Sequence, residues 1–360
     1  MRYSFLIGDF CHLAPQGKAI IAMLVACSLM TLTASTQAAE PVHVIFDTDM
    51  GNDIDDALAL GVLHALANRA ECRIEAVTIT KDNRFAAPYV DLVNTFYGRP
   101  EIPIGMVHDG PTPEDNPYTR DTVLAMDGGQ PRWPHRLSPD SPAPDALKLL
   151  RSTLAAAPDQ SLVPVVVGFS TNFARLLDSP ADEHSPLAGV ELCRQKCRRL
   201  VMMAGMFSLV GRHKEYNVYV DLPAAKRVFA AWPTEIVVSG FEIGQAIKFP
   251  ATSIERDFSY VPHHPLKEAY ELYQKMPYDR ETWDLTAALY AVRPEHGYFQ
   301  LSPPGTIRVD DEMITRFEES PTGKHRYLMV DSLGVARVRE ALELLASQPP
   351  CRAGGPSPEK

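Results

Sequence analysis

The sequence predicts an α/β protein: an open, mostly parallel central sheet covered by helices on both faces, with a small β-rich appendage towards the C-terminus. Two observations predict it. From residue 42 to about 250, short runs rich in Val and Ile alternate with helical apolar patterns, and strands buried on both faces read as such continuous apolar runs. Polar residues (Asp49, Asn83, Val167 with its carbonyl, Glu242) then fall at or just past the ends of those runs, the rim where open parallel sheets bind ligands.

In order, strands are expected at Val42–Phe46, Ile74–Thr80, Leu162–Gly168, Leu200–Ala204 and Thr234–Ser239, with helices at 54–68, 86–97, 172–178 and 222–231. The stretch from Asp109 to Asp145 is rich in Pro, Gly and Asp and has no clear periodicity. Loops that long usually carry function or move, so it is expected to cover a pocket mouth, with Asp127, Trp133 and His135 as candidates for leaving-group contact. From about 254 to 282 the pattern is helical, with Tyr270, Leu272 and Tyr273 as a core stripe. His263-His264 reads as surface, because no third metal ligand is apparent nearby. Residues 304–331 read as the β-rich appendage, and the single domain is expected to span 40–347. The segment 348–360, with four prolines and two glycines, is expected to be disordered.

The first 39 residues read as a signal peptide. Lys18 precedes the apolar stretch Ala19–Leu32, and small residues follow at Thr36-Gln37-Ala38-Ala39, the order of a secretory leader. The apolar part is too short and interrupted for a membrane span. Export to the periplasm or medium is the expectation; Leu24-Val25-Ala26-Cys27 also fits a lipoprotein box, the alternative of a lipid anchor through Cys27. Outside the cytoplasm, Cys193 and Cys197 would be either a local disulfide or two inert thiols. A formal charge of −10 over 360 residues argues against nucleic acid as partner, since phosphate neutralisation wants a basic stripe. It does not repel an uncharged small molecule.

The chemistry concentrates at Asp47-Thr48-Asp49-Met50-Gly51-Asn52-Asp53-Ile54-Asp55-Asp56, five carboxylates in ten residues directly after the first apolar run. Helix capping explains one or two such aspartates, not five. Like charges this close repel, so something positive belongs there, and a hard divalent cation with oxygen ligands is the simplest candidate. An EF-hand loop started at Asp47 fails: its fifth, sixth and twelfth positions fall on Gly51, Asn52 and Leu58. A haloacid-dehalogenase-like phosphatase also opens with strand-Asp-x-Asp but needs Thr or Val soon after, where this chain has Gly51-Asn52-Asp53.

The motif resembles that of the inosine-uridine preferring nucleoside hydrolases, Asp-x-Asp-x-Gly-x-Asp-Asp-Ala, here with two extra residues between Gly51 and Asp55-Asp56-Ala57. The likeness runs on in order through Thr80-Lys81-Asp82-Asn83, Val167-Gly168-Phe169-Ser170-Thr171-Asn172, Met202-Met203-Ala204-Gly205, Glu215-Tyr216-Asn217 and Trp283-Asp284. It implies Ca2+ held by Asp49, Asp56, Asp284 and the Val167 carbonyl, with Asp49 as the base acting on a metal-bound water. It implies substrate contacts from Asp55, Asn83, Met203, Glu215, Asn217 and Trp283, and assembly as a homodimer or homotetramer. Asp53 competes with Asp55 for the ribose because of the insertion, and Asp47 has no assigned role. Trp283 stands where the well-studied members place a His that protonates the leaving base, and Ser208-Leu209-Val210-Gly211 lacks the Asn used near the 5′-hydroxyl. A glycosidase acting on a non-nucleoside substrate and a non-catalytic calcium-dependent sugar or nucleoside binding protein are the alternative readings.

Overall fold

The structure, a computed structural model, describes residues 40–141, 143–208 and 213–351. The expected leader and Cys27, the 209–212 segment and the tail beyond 351 lie outside the described residues. Within the expected tail, Gln348 accepts a hydrogen bond from Arg69 Nε at 2.8 Å.

The strands are β1 (Val42–Thr48), β2 (Cys72–Ile79), β3 (Ile104–Met106), β4 (Leu162–Val166), β5 (Arg199–Met203), β6 (Glu235–Ser239), β7 (Gln300–Leu301), β8 (Gly305–Val309), β9 (Thr315–Glu319) and β10 (His325–Met329). They form one sheet in the order β9-β8-β10-β6-β5-β4-β1-β2-β3, with β7 beside β10. From β3 through β6 to β10 every pairing is parallel; β8 is antiparallel to β9 and β10, as β7 is to β10. The β-rich segment is therefore an extension of the main sheet. The parallel pairing of β10 with β6 is a long-range contact that its own residues do not announce.

Side-chain alternation explains why the runs had to be apolar throughout. Val44, Phe46, Val163, Val165, Val201 and Val237 pack into one core; Ile45, Leu162, Val166, Leu200, Met202, Ile236 and Val238 pack into the other. Successive strand residues point to opposite faces, and helices cover both. The first core is closed by helices α1 (Asp55–Asn68), α2 (Ala86–Phe96), α3 (Trp283–Val292) and α4 (Ser332–Ala346). The last two carry no element in the sequence reading. Helices at Ala146–Ala156, Thr171–Asp178, Gly189–Lys196 and Leu222–Ala231 close the second.

The Asp109–Asp145 stretch is partly regular. Asn116 caps a helix at Pro117–Val123, its Oδ1 accepting from Tyr118 N at 3.2 Å, with Pro117 at the tolerant first turn. Its far end is pinned to α2: the fully buried Asp91 accepts from the backbone N–H groups of Arg136 and Leu137 and from the Arg136 guanidinium. Cys193 and Cys197 are separate buried thiols. His263 is exposed and bonds Glu268, whereas His264 is buried, caps Pro265–Tyr273 and bonds Tyr260.

Candidate active site

β1 lies between β2 and β4, so successive connections leave it in opposite directions along the sheet. Such a switch point opens a crevice beyond the carboxyl ends of the two strands. Here those ends carry Asp47-Thr48-Asp49 and Val167. Gly168 lets them meet closely, since a Cβ there would lie 2.5 Å from Asp49 N. Gly51 turns the acidic loop with φ +112, a conformation in which a side chain would be strained.

The loop is fastened from several sides. The Tyr118 hydroxyl accepts from Gly51 N at 2.6 Å and donates to the Asp53 carbonyl at 2.8 Å. Asn52 Nδ2 donates to Asp49 Oδ2 at 2.7 Å, while Lys81 Nζ donates to Asn52 Oδ1 at 2.9 Å and to the Thr112 carbonyl at 2.6 Å. Asp55 and Asp56 begin α1, whose N-terminal dipole faces the carboxylates.

Carboxylate oxygens of Asp49, Asp53 and Asp56 lie within 4.8 Å of one another, and so do those of Asp53, Asp55 and Asp284. Burial, then mutual repulsion, drives the Asp56 and Asp284 pKa values well above the carboxylate range. Burial is also the main cause of the rise at Asp49, to about 6, and at Asp55, to about 7. Thr48 Oγ1 donates to Asp56 Oδ1, but Asp56 Oδ2 is buried with no hydrogen-bond partner among the described residues. A crowded all-oxygen set with an orphaned buried oxygen fits a hard divalent cation. Asp47 belongs to neither group: its Oδ1 accepts from Thr78 and from Asn172 Nδ2 at 2.8 Å.

Over the carboxylates opens a cavity of about 400 Å³. Of the expected site residues, Asp49, Asp53, Val167, Met203, Glu215, Asn217, Trp283 and Asp284 line it. Glu215 is held by the N–H groups of Gly205 and Asn217, both at 2.9 Å, and burial raises its pKa to about 7. Asn217 Nδ2 donates to the Val167 carbonyl at 2.7 Å. Asn83 is not brought there. Its amide donates to the Pro113 carbonyl and to Asp115, and it lines a separate cleft, so the structure gives it the task of holding the 113–115 loop. Asp127, Trp133 and His135 do not reach the cavity either. Trp133 is buried in the first core, because the Asp91 anchor turns that part of the loop onto α2.

The sequence reading missed the cavity's outer wall: His213, Lys214, Tyr216, Tyr219, Phe241, Tyr273 and Arg280. Trp283 stacks on Phe241 with centroids 5.2 Å apart and donates from Nε1 to its carbonyl at 2.9 Å. Arg280 supplies part of the positive charge the acidic run demands, bridging Asp53 and Asp55. Burial pulls its pKa down, but these two carboxylates outweigh that and raise it. In sequence it sits in Asp279-Arg280-Glu281, which reads as solvated surface; the unbalanced charge upstream was the one signal for it.

Fold and cavity define an α/β enzyme with an acidic, cation-compatible site for a small molecule. Residues 44–336 match the family described as inosine-uridine preferring nucleoside hydrolase, and the chain belongs to that family. Three solved structures share its fold. The inosine-uridine preferring nucleoside hydrolase of Bacillus anthracis is 19% identical, with TM-score 0.62 and coverage of 85% of this chain and 99% of that one. The purine-preferring ribonucleoside hydrolase of Gardnerella vaginalis is also 19% identical, with TM-score 0.61 and coverage of 85% and 98%. The type III effector protein XopQ, complexed with adenosine diphosphate ribose, is 16% identical, with TM-score 0.61 and coverage of 93% and 99%. No curated protein sequence matches the chain. Family membership makes the protein a hydrolase of N-glycosyl compounds, in a metal-dependent family that acts on small-molecule nucleosides. No helix among the described residues is long and apolar enough to cross a membrane.

Proposed function

We propose that the protein hydrolyses the N-glycosidic bond of ribonucleosides to ribose and free base, with Ca2+ as its cofactor and Asp49 as general base. The observation that carries this reading is the position of Asp49, which belongs to the carboxylate cluster and also lines the cavity. Asp49, Asp56, Asp284 and the Val167 carbonyl would hold the ion; the carbonyl's second lone pair remains for it beside the Asn217 bond. Bound there, a divalent cation lowers the pKa of a coordinated water and fixes its position.

Asp49 accepts the proton of the attacking water, and the Asn52 amide on Oδ2 orients its carboxylate for that transfer. Attack at the anomeric carbon passes through an oxocarbenium-like state, which surrounding carboxylates stabilise. Glu215 and Asn217, which line the cavity with Met203, would hold the sugar hydroxyls. Trp283 and Phe241 offer aromatic faces to the departing base. The leader expected at 1–39 would carry this activity out of the cytoplasm.

The test is release of reducing sugar from a panel of purine and pyrimidine ribonucleosides, with and without calcium chelation, with Asp49→Ala as control. Calcium-dependent release that disappears in the variant supports the reading. Failure with every nucleoside moves the weight to a larger ribosyl compound. His213 and Lys214 on the cavity wall favour that second reading, because they bring cationic or protonatable groups to the site. One neighbour was solved with adenosine diphosphate ribose, so that compound belongs in the panel.

A further inference from the structure

We infer that Arg280 is a positioning residue of this site: it draws Asp55 into the protein and presents Asp53 to substrate and cation. The inference rests on the proposed reaction and adds a division of labour that the two-residue insertion leaves open in sequence.

Both oxygens of Asp55 are already used. Oδ1 accepts from Arg280 Nη2 at 3.1 Å and Nε at 3.4 Å, and Oδ2 accepts from Asp284 N at 3.3 Å. Asp55 is 1% exposed and does not line the cavity. Asp53 is its opposite. It lines the cavity, its side chain is 33% exposed, and it belongs to both carboxylate groups. The same Nη2 that holds Asp55 donates to Asp53 Oδ2 at 2.5 Å.

Arg280 itself has little freedom. Its guanidinium carbon lies 5.2 Å from the Tyr273 ring centroid and 5.0 Å from that of Trp283, and its side chain is 11% exposed. A planar fork stacked on aromatics and bonded to carboxylates keeps one orientation; a lysine has a single ammonium and no plane to stack. Arg280 therefore couples three parts of the site: the inserted loop residue Asp53, the first turn of α1, and the aromatic wall. It also removes one unit of negative charge from the cluster, leaving a set that still favours a divalent ion without binding it at full strength.

The experiment uses the mature full chain and its Arg280→Gln, Arg280→Lys, Asp53→Asn and Asp55→Asn variants. Terbium luminescence on chelated protein reads cation binding without any turnover. Steady-state rates on a ribonucleoside and its 2′-deoxy analogue read substrate positioning. Loss of a nearby positive charge strengthens cation binding by about tenfold or more at a protein-like dielectric, so Arg280→Gln should bind terbium more tightly while KM rises more than kcat falls. Arg280→Lys, which keeps the charge, should restore terbium affinity but not KM. Asp53→Asn should erase the preference for ribose over deoxyribose, and Asp55→Asn should keep it.

Unchanged terbium affinity and KM in Arg280→Gln would overturn the inference, as would loss of ribose preference in Asp55→Asn with its retention in Asp53→Asn. If the parent protein releases no sugar, the proposed function fails. The terbium titration then still decides whether Arg280 tunes the cluster.

Discussion

The cavity has a floor and a wall, and the two are made in different ways. The floor comes from one strand end and the turn after it, Asp49 to Asp56, joined by Asp284 and Val167. The wall comes from Tyr216, Tyr219, Phe241, Tyr273, Arg280 and Trp283, carried by short elements spread along the second half of the chain. The floor is constrained by charge: every member must be an oxygen donor at a fixed place. The wall is constrained by shape, which several residue types satisfy. That difference implies that losing the floor's base, Asp49, abolishes the reaction, whereas substituting the aromatic residues of the wall redirects it.

The largest expected effect is on the floor. Asp49→Ala should lower kcat by about 10²–10⁴-fold, the range for general acid–base catalysis. In chelated protein the melting temperature should not fall, since the variant relieves repulsion among buried carboxylates. A variant within tenfold of the parent in sugar release would show that the floor is not where the proton goes.

Acid titration separates the floor from the body of the fold by sign. In chelated protein, burial raises Asp47 and Asp55 to about 7 and Asp49 to about 6. These groups bind protons in the folded state that the unfolded chain has released. Their contribution is present below pH 4 and is lost as pH rises through 6 to 7. His64 and His264 behave oppositely. Burial, aided by Arg99 at the first and Lys267 at the second, lowers both to about 3, so their contribution is present above pH 6.5 and is lost as pH falls. Each histidine gives a slope of up to about 1.4 kcal/mol per pH unit. Chelated protein should melt higher at pH 5.5 than at pH 7.5, calcium should cancel that gain, and His64→Gln should enlarge it. A melting temperature in chelated protein that rises from pH 5.5 to pH 7.5 would mean that the carboxylates are not the dominant buried charges.

Calcium removal should then cost stability at neutral pH. An ion bound at a hundredfold excess over its Kd contributes about 2.7 kcal/mol, read as a drop in melting temperature on chelation and its recovery on adding calcium back. Magnesium should recover less, because its strict octahedral shell tolerates a carboxylate crowd poorly.

How much of this the sequence discloses follows the same division. The parallel strands were legible because burial on both faces forces unbroken apolar runs, and the acidic loop because its charge density has no structural use. Asp49 and Asp56 fall in one carboxylate group and Asp284 in another, with Asp53 common to both. Asn83 shows the limit: it stands at a strand end, yet its amide is spent on Pro113 and Asp115. The partners came from a loop with no pattern of its own. Arg280 was illegible for a related reason, since a charged residue between Asp279 and Glu281 gives no sign of which carboxylates it will meet after folding. The Pro117–Val123 helix hid behind its own proline and the irregular residues around it. What depends on long-range pairing leaves little local trace.

The smallest effect separates two uses of one wall residue. Trp283 lines the cavity, stacks on Phe241 and bonds its carbonyl, so it serves packing and is also offered to the substrate. An aromatic pair contributes about 0.5–1.5 kcal/mol beyond its buried area. If Trp283 stacks on the departing base, Trp283→Ala should lower kcat/KM about tenfold, more for purines than for pyrimidines, and Trp283→Phe should recover most of it. If it is only packing, both base classes should fall equally and in step with melting temperature. The ratio of purine to pyrimidine rates across the three proteins is the quantity to measure, because global destabilisation cancels from it. A ratio that does not move would assign base recognition to Tyr216, Tyr219 and Tyr273 on the rest of the wall.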